Sequence, residues 1–393
     1  MIEEKLQNLP KKYTYLYLII AIGVCLLAVL CLSWHWFGTL IIQENTTFLF
    51  LNNHRVKEDP EVLLKLKRVK PEKYEAKGVY LTAYSAGNPS VINNIIDLIN
   101  KTELNAVVID IKDYSGLVLY DSQAPLVNEL DAEHNRLGNV ASLIKKLHEH
   151  DIYVIARQTV FQDPVLAEKK SEWAIKSKLG GLWRDDKGLA WVDPTQKAVW
   201  DYNLAIAKEA IRFGFDEINF DYVRFPSDGD MRQVVYTNQT QTKEEVMHTF
   251  YHYLSEELSN EPAWLSLDMF GFVMERDDGL YIGQRIQDAV DEVDYISPMM
   301  YPSHYPPNHR GLANPADYPG LVVGWGMEAG IAKFEGKRAQ VRPWLQAFNL
   351  GAQYDAAKIR AQIDAVEKYD NAGWMLWNAA NRYSANGLRV EEK

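Results

Sequence analysis

The sequence predicts an α/β protein: a (β/α)8 TIM barrel preceded by a single N-terminal transmembrane helix. Three observations carry that prediction. From residue 78 onward, eight short apolar runs alternate with segments of helical period, which is how βα units around a parallel sheet read. The alternating region has the length of a barrel of ~250 residues enlarged by insertions. Acidic, amide and aromatic residues gather where the apolar runs end, and that rim is where barrels carry function. A doubly wound open sheet is the main rival. It would normally open on a glycine-rich turn such as GxGxxG, and the sequence has none. P-loop, HExxH and GxSxG motifs are absent too, as are internal repeats.

The 393 residues divide into four parts. Residues 1–12 form a cytoplasmic N-terminus that ends in Lys11 and Lys12. Residues 13–42 contain no Asp, Glu, Lys or Arg and are long enough to span a bilayer. Trp34, Trp36 and Phe37 sit near their far end, as an interfacial belt would. This apolar stretch is too long for a cleaved signal peptide and has no small-residue cleavage site, so it reads as an uncleaved anchor. The expectation is a single-pass cell-membrane protein whose C-terminal domain is extracytoplasmic. Residues 43–77 are a juxtamembrane linker, dense in Lys and Arg over its second half. Residues 78–393 are the barrel.

Within the barrel the first strand is expected at 78–83 (GVYLTA), followed by a helix at 89–101 with Ile92, Ile95, Ile96 and Ile99 in one stripe. The second strand is 106–111 (AVVIDI), with a helix at 140–150 after a long loop. The third is 152–156, ending in Arg157 and Gln158. A Trp-containing excursion at 161–194 then precedes a helix at 195–213; loops of such length inside a compact domain are usually functional. The fourth strand, 215–220, lies between Gly214 and Pro226, and a helix at 243–260 follows. The fifth is 264–269 with a helix at 284–293, and the sixth is 295–300 with a helical piece within 321–334. The seventh is 341–348 with a helix at 356–369, and the eighth is 373–378.

The formal net charge of -11 and the lack of a basic stripe exclude nucleic acid as a partner. Both cysteines, Cys25 and Cys31, fall in the N-terminal apolar stretch, so the barrel has no disulfide framework, thiolate metal site or Cys nucleophile. No cofactor-binding motif is present. Aromatic residues make up 12% of the chain, with 11 Trp and 22 Tyr, and their flat faces suit sugar rings as well as cores.

The fourth strand carries the sharpest signal. Glu217, Asn219 and Asp221 share one parity and hence one face, a cost in so apolar a strand unless that face lines a polar cavity. Reading the other strand ends adds Tyr84, then Asp110 with Lys112 and Asp113, then Arg157 with Gln158. Arg224 follows Asp221, Asp268 ends the fifth strand, Tyr301 the sixth, Gln346 the seventh, and Trp377 with Asn378 the eighth. Glycosidic cleavage needs two carboxyl groups, one protonated and one ionised, and neighbouring carboxylates push each other's pKa values apart. Asp221 with Asp268 would make a close pair on adjacent strands. Asp110 with Asp221 would leave room for a water. Asp110, Asp113 and Asp221 could instead gather a divalent cation, although no His-rich spacing accompanies them. His304 and His309 read as surface residues.

The motifs KGVYLTAYSAG (77–87), VVIDIKD (107–113), FDEINFDYVRFP (215–226), YISPMMYPSHY (295–305), RPWLQAF (342–348) and GWMLWNA (373–379) resemble a bacterial TIM-barrel family of glycoside hydrolase type, first defined as a domain of unknown function. The resemblance covers about 77–386. It implies a membrane-anchored glycosidase acting on an extracellular or cell-wall polysaccharide or oligosaccharide. Asp221, Asp268 and Asp110 are then its catalytic candidates, and the remaining strand-end residues its substrate-binding ones. The alternative is a non-catalytic carbohydrate-binding or wall-assembly protein on the same barrel. A looser similarity is to the α-amylase-like glycosidases, whose strand-four nucleophile and strand-five acid fall at Asp221 and Asp268. Those enzymes usually carry Arg where this chain has Asn219, and Glu where it has Asp268.

Overall fold

A computed structural model of the protein describes residues 73–391. The expected cytoplasmic N-terminus, the anchor at 13–42 and most of the linker lie outside the described residues. Among the described residues no helix is long and apolar enough to cross a membrane.

Eight parallel strands close into a barrel. They are β1 (Ala76–Leu81), β2 (Ala106–Lys112), β3 (Tyr153–Thr159), β4 (Glu217–Asp221), β5 (Trp264–Phe270), β6 (Tyr295–Met300), β7 in two pieces (Gln340–Val341 and Trp344–Gln346) and β8 (Gly373–Trp377). Each pairs with the next. The second piece of β7 pairs with both β6 and β8, and β8 pairs with β1 to close the ring. Between strands the chain returns through α1 (Pro89–Ile99), α2 (Val140–His148), α3 (Lys197–Phe213), α4 (Lys243–Leu258), α5 (Ile286–Ala289), α6 (Pro319–Gly330) and α7 (Ala356–Val366).

The strands are buried on both faces, as a barrel wall must be. Their alternation sorts residues into two cores. Val107, Ile109, Val154, Ala156, Ile218, Phe220, Leu265 and Leu267 face the helices, while Tyr80, Ala106, Val108, Tyr153, Ile155, Trp344 and Met375 pack within the barrel. Local signals set the helices against that wall. The Asn88 side chain caps α1, which starts on Pro89 and buries Ile92, Ile95, Ile96 and Ile99. Gly214 ends α3 in a left-handed turn at φ 107, which turns the chain straight into β4. Thr242 and Glu245 form a capping box at the start of α4.

Four expectations need correcting. Strand β1 begins at Ala76, inside the expected linker, because Ala76 pairs with Gly373. It ends at Leu81, which puts Tyr84 on a short helix, Ala83–Ala86. The helix expected at 284–293 is a single turn, and the buried side-chain amide of Gln284 instead donates to Val223 O and Asp268 O while accepting from Phe270 N. The seventh strand is interrupted at Arg342-Pro343, where proline has no N–H for the ladder. The excursion at 161–194 folds in part as a helix, Pro164–Lys169, and a ribbon in which Lys176–Ser177 pairs antiparallel with Val234–Val235. No helix follows β8 among the described residues; the chain runs back until Val390 bridges Thr102.

Candidate active site

Inward-facing polar residues form a column through the barrel. At the N-terminal end Glu217 is fully buried, with Arg342 Nη1 bonded to both its carboxylate oxygens at 2.8 and 2.9 Å and the Tyr153 hydroxyl donating to it at 3.0 Å. The Arg342 guanidinium also stacks 3.7 Å from the Tyr295 ring. One layer up, Asn219 Nδ2 donates to Ser266 Oγ at 3.0 Å and to Asp268 Oδ1 at 2.9 Å. At the C-terminal end sits Arg157, 7% exposed, with three carboxylates around its guanidinium. Nη1 donates to Asp110 Oδ1 at 2.5 Å, Nη2 donates to Asp221 Oδ2, and Nε lies 3.6 Å from Asp268 Oδ2. Burial disfavours this charge, but Asp110 and Asp221 outweigh it and hold Arg157 well above its ordinary pKa.

The strand register explains the convergence. Arg157 pairs with Asn219 across β3 and β4, and Asn219 with Ser266 across β4 and β5. Asp221 and Asp268, each two residues further on, therefore reach the same level of the barrel. Arg157 thus stands beside Asn219, one strand over at the same register.

The two rim carboxyls, both buried, have different partners. Asp221 accepts from two donors, Arg157 Nη2 and its neighbour's backbone N–H, Tyr222 N. Tyr222, whose N–H meets the carboxylate, sits in the left-handed region at φ 54, a costly conformation for an aromatic residue. Asp268 is 1% exposed; burial, and then the charge of Asp221, push its carboxyl up to about 8 against the pull of Arg157. Its Oδ1 accepts from Asn219 Nδ2 and from Trp344 Nε1 at 2.7 Å, which leaves Oδ2 as the oxygen for the proton. Asp110 stands behind Arg157, bonded to the Tyr80 hydroxyl, with its carboxyl raised by burial.

These groups form the floor of a cavity of about 470 Å³ open at the barrel's C-terminal mouth. Asp221, Asp268, Arg157 and Arg224 line it, together with Tyr222, Phe270, Phe272, Tyr301, Tyr305, Trp344 and Trp377. Trp377 is stacked on Tyr80 at 3.8 Å, with the Arg157 guanidinium 4.9 Å from its ring. Burial, and the charges of Asp268 and Asp221, raise the Tyr301 hydroxyl well above its ordinary pKa.

Of the sequence candidates, the structure brings Arg157, Asp221, Asp268, Arg224, Tyr301 and Trp377 to this mouth, while Asp110, bonded to Arg157 from behind, is not part of its lining. The others go elsewhere. Lys112 is fully buried in an ion pair with Asp163 at 2.8 Å, because a register irregularity between Asp110 and Lys112 turns it out of the lumen. Gln158 faces outward, one residue out of phase with Arg157, and donates to Asn203 on α3. Asp113 folds back onto Ser115 in a local turn, so Asp110, Asp113 and Asp221 do not converge as cation ligands. Tyr84 is 60% exposed beneath Arg136. Gln346 accepts from Ser303 N and donates to Phe348 O, and Asn378 donates to Ala347 O and Arg382 O; both tie loops together beside the pocket. In the excursion at 161–194, Trp183 is buried, its indole N–H donating to Asp230 O. His304 lines the cavity edge, whereas His309 is largely covered beside Glu275. Sequence reasoning missed Tyr80, Tyr222, Phe270, Phe272 and Trp344. Strand parity alone could have found Tyr80 and Trp344, since each shares the inward phase of its strand.

A closed parallel barrel with an acidic, aromatic-walled mouth defines a class: TIM-barrel proteins of glycoside hydrolase type. Residues 78–383 match the family described as "Putative glycosyl hydrolase domain", and the chain belongs to that family. No curated protein matches the sequence. Among solved structures, a hypothetical protein from Ruminiclostridium thermocellum is 42% identical over 48% of this chain and 96% of that one, with a TM-score of 0.46. The glycoside hydrolase domain of PgaB (BpsB) from Bordetella bronchiseptica is 12% identical over 78% of this chain and 94% of its own, with a TM-score of 0.55. A trehalose-6-phosphate hydrolase from Bacillus licheniformis is 12% identical over 78% of this chain and 65% of its own, with a TM-score of 0.51. At 12% identity the last two likenesses are ones of fold.

Proposed function

We propose that the protein is a membrane-anchored glycoside hydrolase that cleaves an extracellular or cell-wall polysaccharide or oligosaccharide with Asp221 and Asp268. One observation carries this reading: two carboxyls on adjacent strands face a single aromatic-walled cavity, Asp221 bonded directly to Arg157 and Asp268 held by neutral donors with its carboxyl raised by burial. Asp268 keeps its proton to about pH 8 and serves as the acid. Asp221, held by two donors, serves as the carboxylate. Adjacent strands lie about 4.8 Å apart, which suits the ~5–5.5 Å of a retaining pair. Asp221 attacks the anomeric carbon as Asp268 gives its proton to the departing glycosidic oxygen. Asp268, now ionised, then takes a proton from the water that displaces Asp221. Arg157 and the Tyr222 N–H fix the nucleophile's orientation, and Asp110 anchors Arg157 from behind. Tyr301 and Trp377 offer faces and a hydroxyl to the sugar. The anchor rests on the uncharged apolar stretch at 13–42, which supports a single-pass protein with the barrel outside the membrane.

The test is release of reducing ends from a panel of bacterial surface glycans by the wild type and by Asp221→Asn. The variant should lose about 10³-fold or more in rate and melt within a few degrees of the parent. Parental turnover in the variant would refute the assignment. Glycan binding with no turnover in either protein would favour the non-catalytic alternative.

A further inference from the structure

Arg224 has no part in the chemistry above, yet it lines the same cavity. It is 8% exposed, a depth at which a cation is normally matched by a carboxylate. Among the described residues no carboxylate lies within ion-pair distance of it. Asp221, Asp228 and Asp185 act on it only from further away, and burial holds its pKa below the ordinary value. Its Nη1 makes two bonds, both to neutral oxygens: Phe225 O at 3.0 Å and Ser227 Oγ at 3.3 Å. Nε and Nη2 donate to no described protein atom. The rings of Trp191, Tyr222 and Phe270 lie 4.9–5.2 Å from the guanidinium carbon and hold the plane in place. The other guanidinium in the wall, Arg157, is committed to Asp110 and Asp221. The cavity therefore offers one oriented cation with free donors, whereas the other, Arg157, is already met by carboxylates.

Resting on the reading of this cavity as a sugar site, we propose that its substrates are acidic glycans, and that Arg224 receives the ring carboxylate of a hexuronate residue. A planar carboxylate can take two parallel N–H bonds from a guanidinium edge, whereas a hydroxymethyl group cannot. The chain's net charge of -11 supplies no general attraction for a polyanion, so the preference must come from this single contact.

The test uses the full chain carrying Asp221→Asn, so that binding is read without turnover, in 150 mM salt. Tetrasaccharides of galacturonate, glucuronate and mannuronate are each paired with a counterpart whose carboxylates have been reduced to hydroxymethyl groups. Binding is followed by tryptophan fluorescence, to which Trp344 and Trp377 in the wall respond. At least one acidic form should bind about ten-fold or more tightly than its reduced partner. Adding Arg224→Gln should abolish that preference while changing affinity for the reduced form by no more than about three-fold, and Arg224→Lys should restore part of it. Should Arg224→Gln fail to fold, the comparison of acidic with reduced sugars on the Arg224 protein still decides. The proposal is overturned if no acidic form binds more tightly than its partner, if nothing in the panel binds, or if Arg224→Gln keeps the preference. Asp221-dependent hydrolysis of a neutral glycan without acid preference would sink this inference alone. Acid-selective binding with no hydrolysis by the Asp221 protein would sink the hydrolase reading alone.

Discussion

Replacing Asp268 with Asn should change how stability depends on pH, and the structure gives both sign and size. The folded protein holds the Asp268 proton to about pH 8, whereas a free Asp carboxyl loses it near 3.8. Because the folded value is raised, the native state binds the extra proton throughout that interval. Stability from this group is complete below about pH 4 and is lost as pH rises through about 8. At about 1.4 kcal/mol per pH unit, the whole interval is worth about 6 kcal/mol. Asn has nothing to titrate, yet its Oδ1 can still accept from Asn219 and Trp344. Urea unfolding from pH 5 to pH 8 should therefore show the wild type losing about 4 kcal/mol relative to Asp268→Asn, or about 8 °C of melting temperature. Parallel stability curves across this range would mean that Asp268 is ionised in the native protein, and the assignment of acid and carboxylate would fall with it.

Three further outcomes follow from the same geometry. Hydrolysis should decline as pH rises through about 8, because the acid form of Asp268 disappears there; a pH–rate profile flat to pH 9.5 would contradict the role. Arg342→Met leaves Glu217 buried and uncompensated and should cost about 3–5 kcal/mol in urea unfolding, with much of it recovered when Glu217→Gln is added. Gly373→Ala places a Cβ 2.0 Å from Ala76 O, at a residue whose φ is +95. It should cost at least about 3 kcal/mol by opening the β1–β8 seam, and a melting temperature within two degrees of the parent would show that the seam can relax.

Much of this was legible in the residue pattern. The alternation of apolar runs and helical stripes gave the barrel, since a βα unit must bury both faces of its strand. Parity gave Glu217, Asn219 and Asp221 a common face, and the fold turns that face inward. Position at a strand end proved a weaker guide than parity. Gln158 follows Arg157 directly, yet the two point to opposite sides of the wall. Lys112 has the parity of Asp110, but a local shift in pairing diverts it to Asp163.

The sequence by itself determined the strands, their order and the inward phase of the acidic residues, because those depend on local period and on burial. It also supplied the uncharged stretch at 13–42. The tertiary structure decided which charges meet. Arg157 is shared among Asp110, at its own register on β2, and Asp221 and Asp268, two residues further on along β4 and β5. The difference between the two buried rim carboxyls then comes from their partners: a direct bond from the Arg157 guanidinium on Asp221, and two neutral donors with the cation 3.6 Å away on Asp268. Neither is a property of aspartate, so only the folded barrel could assign them different parts.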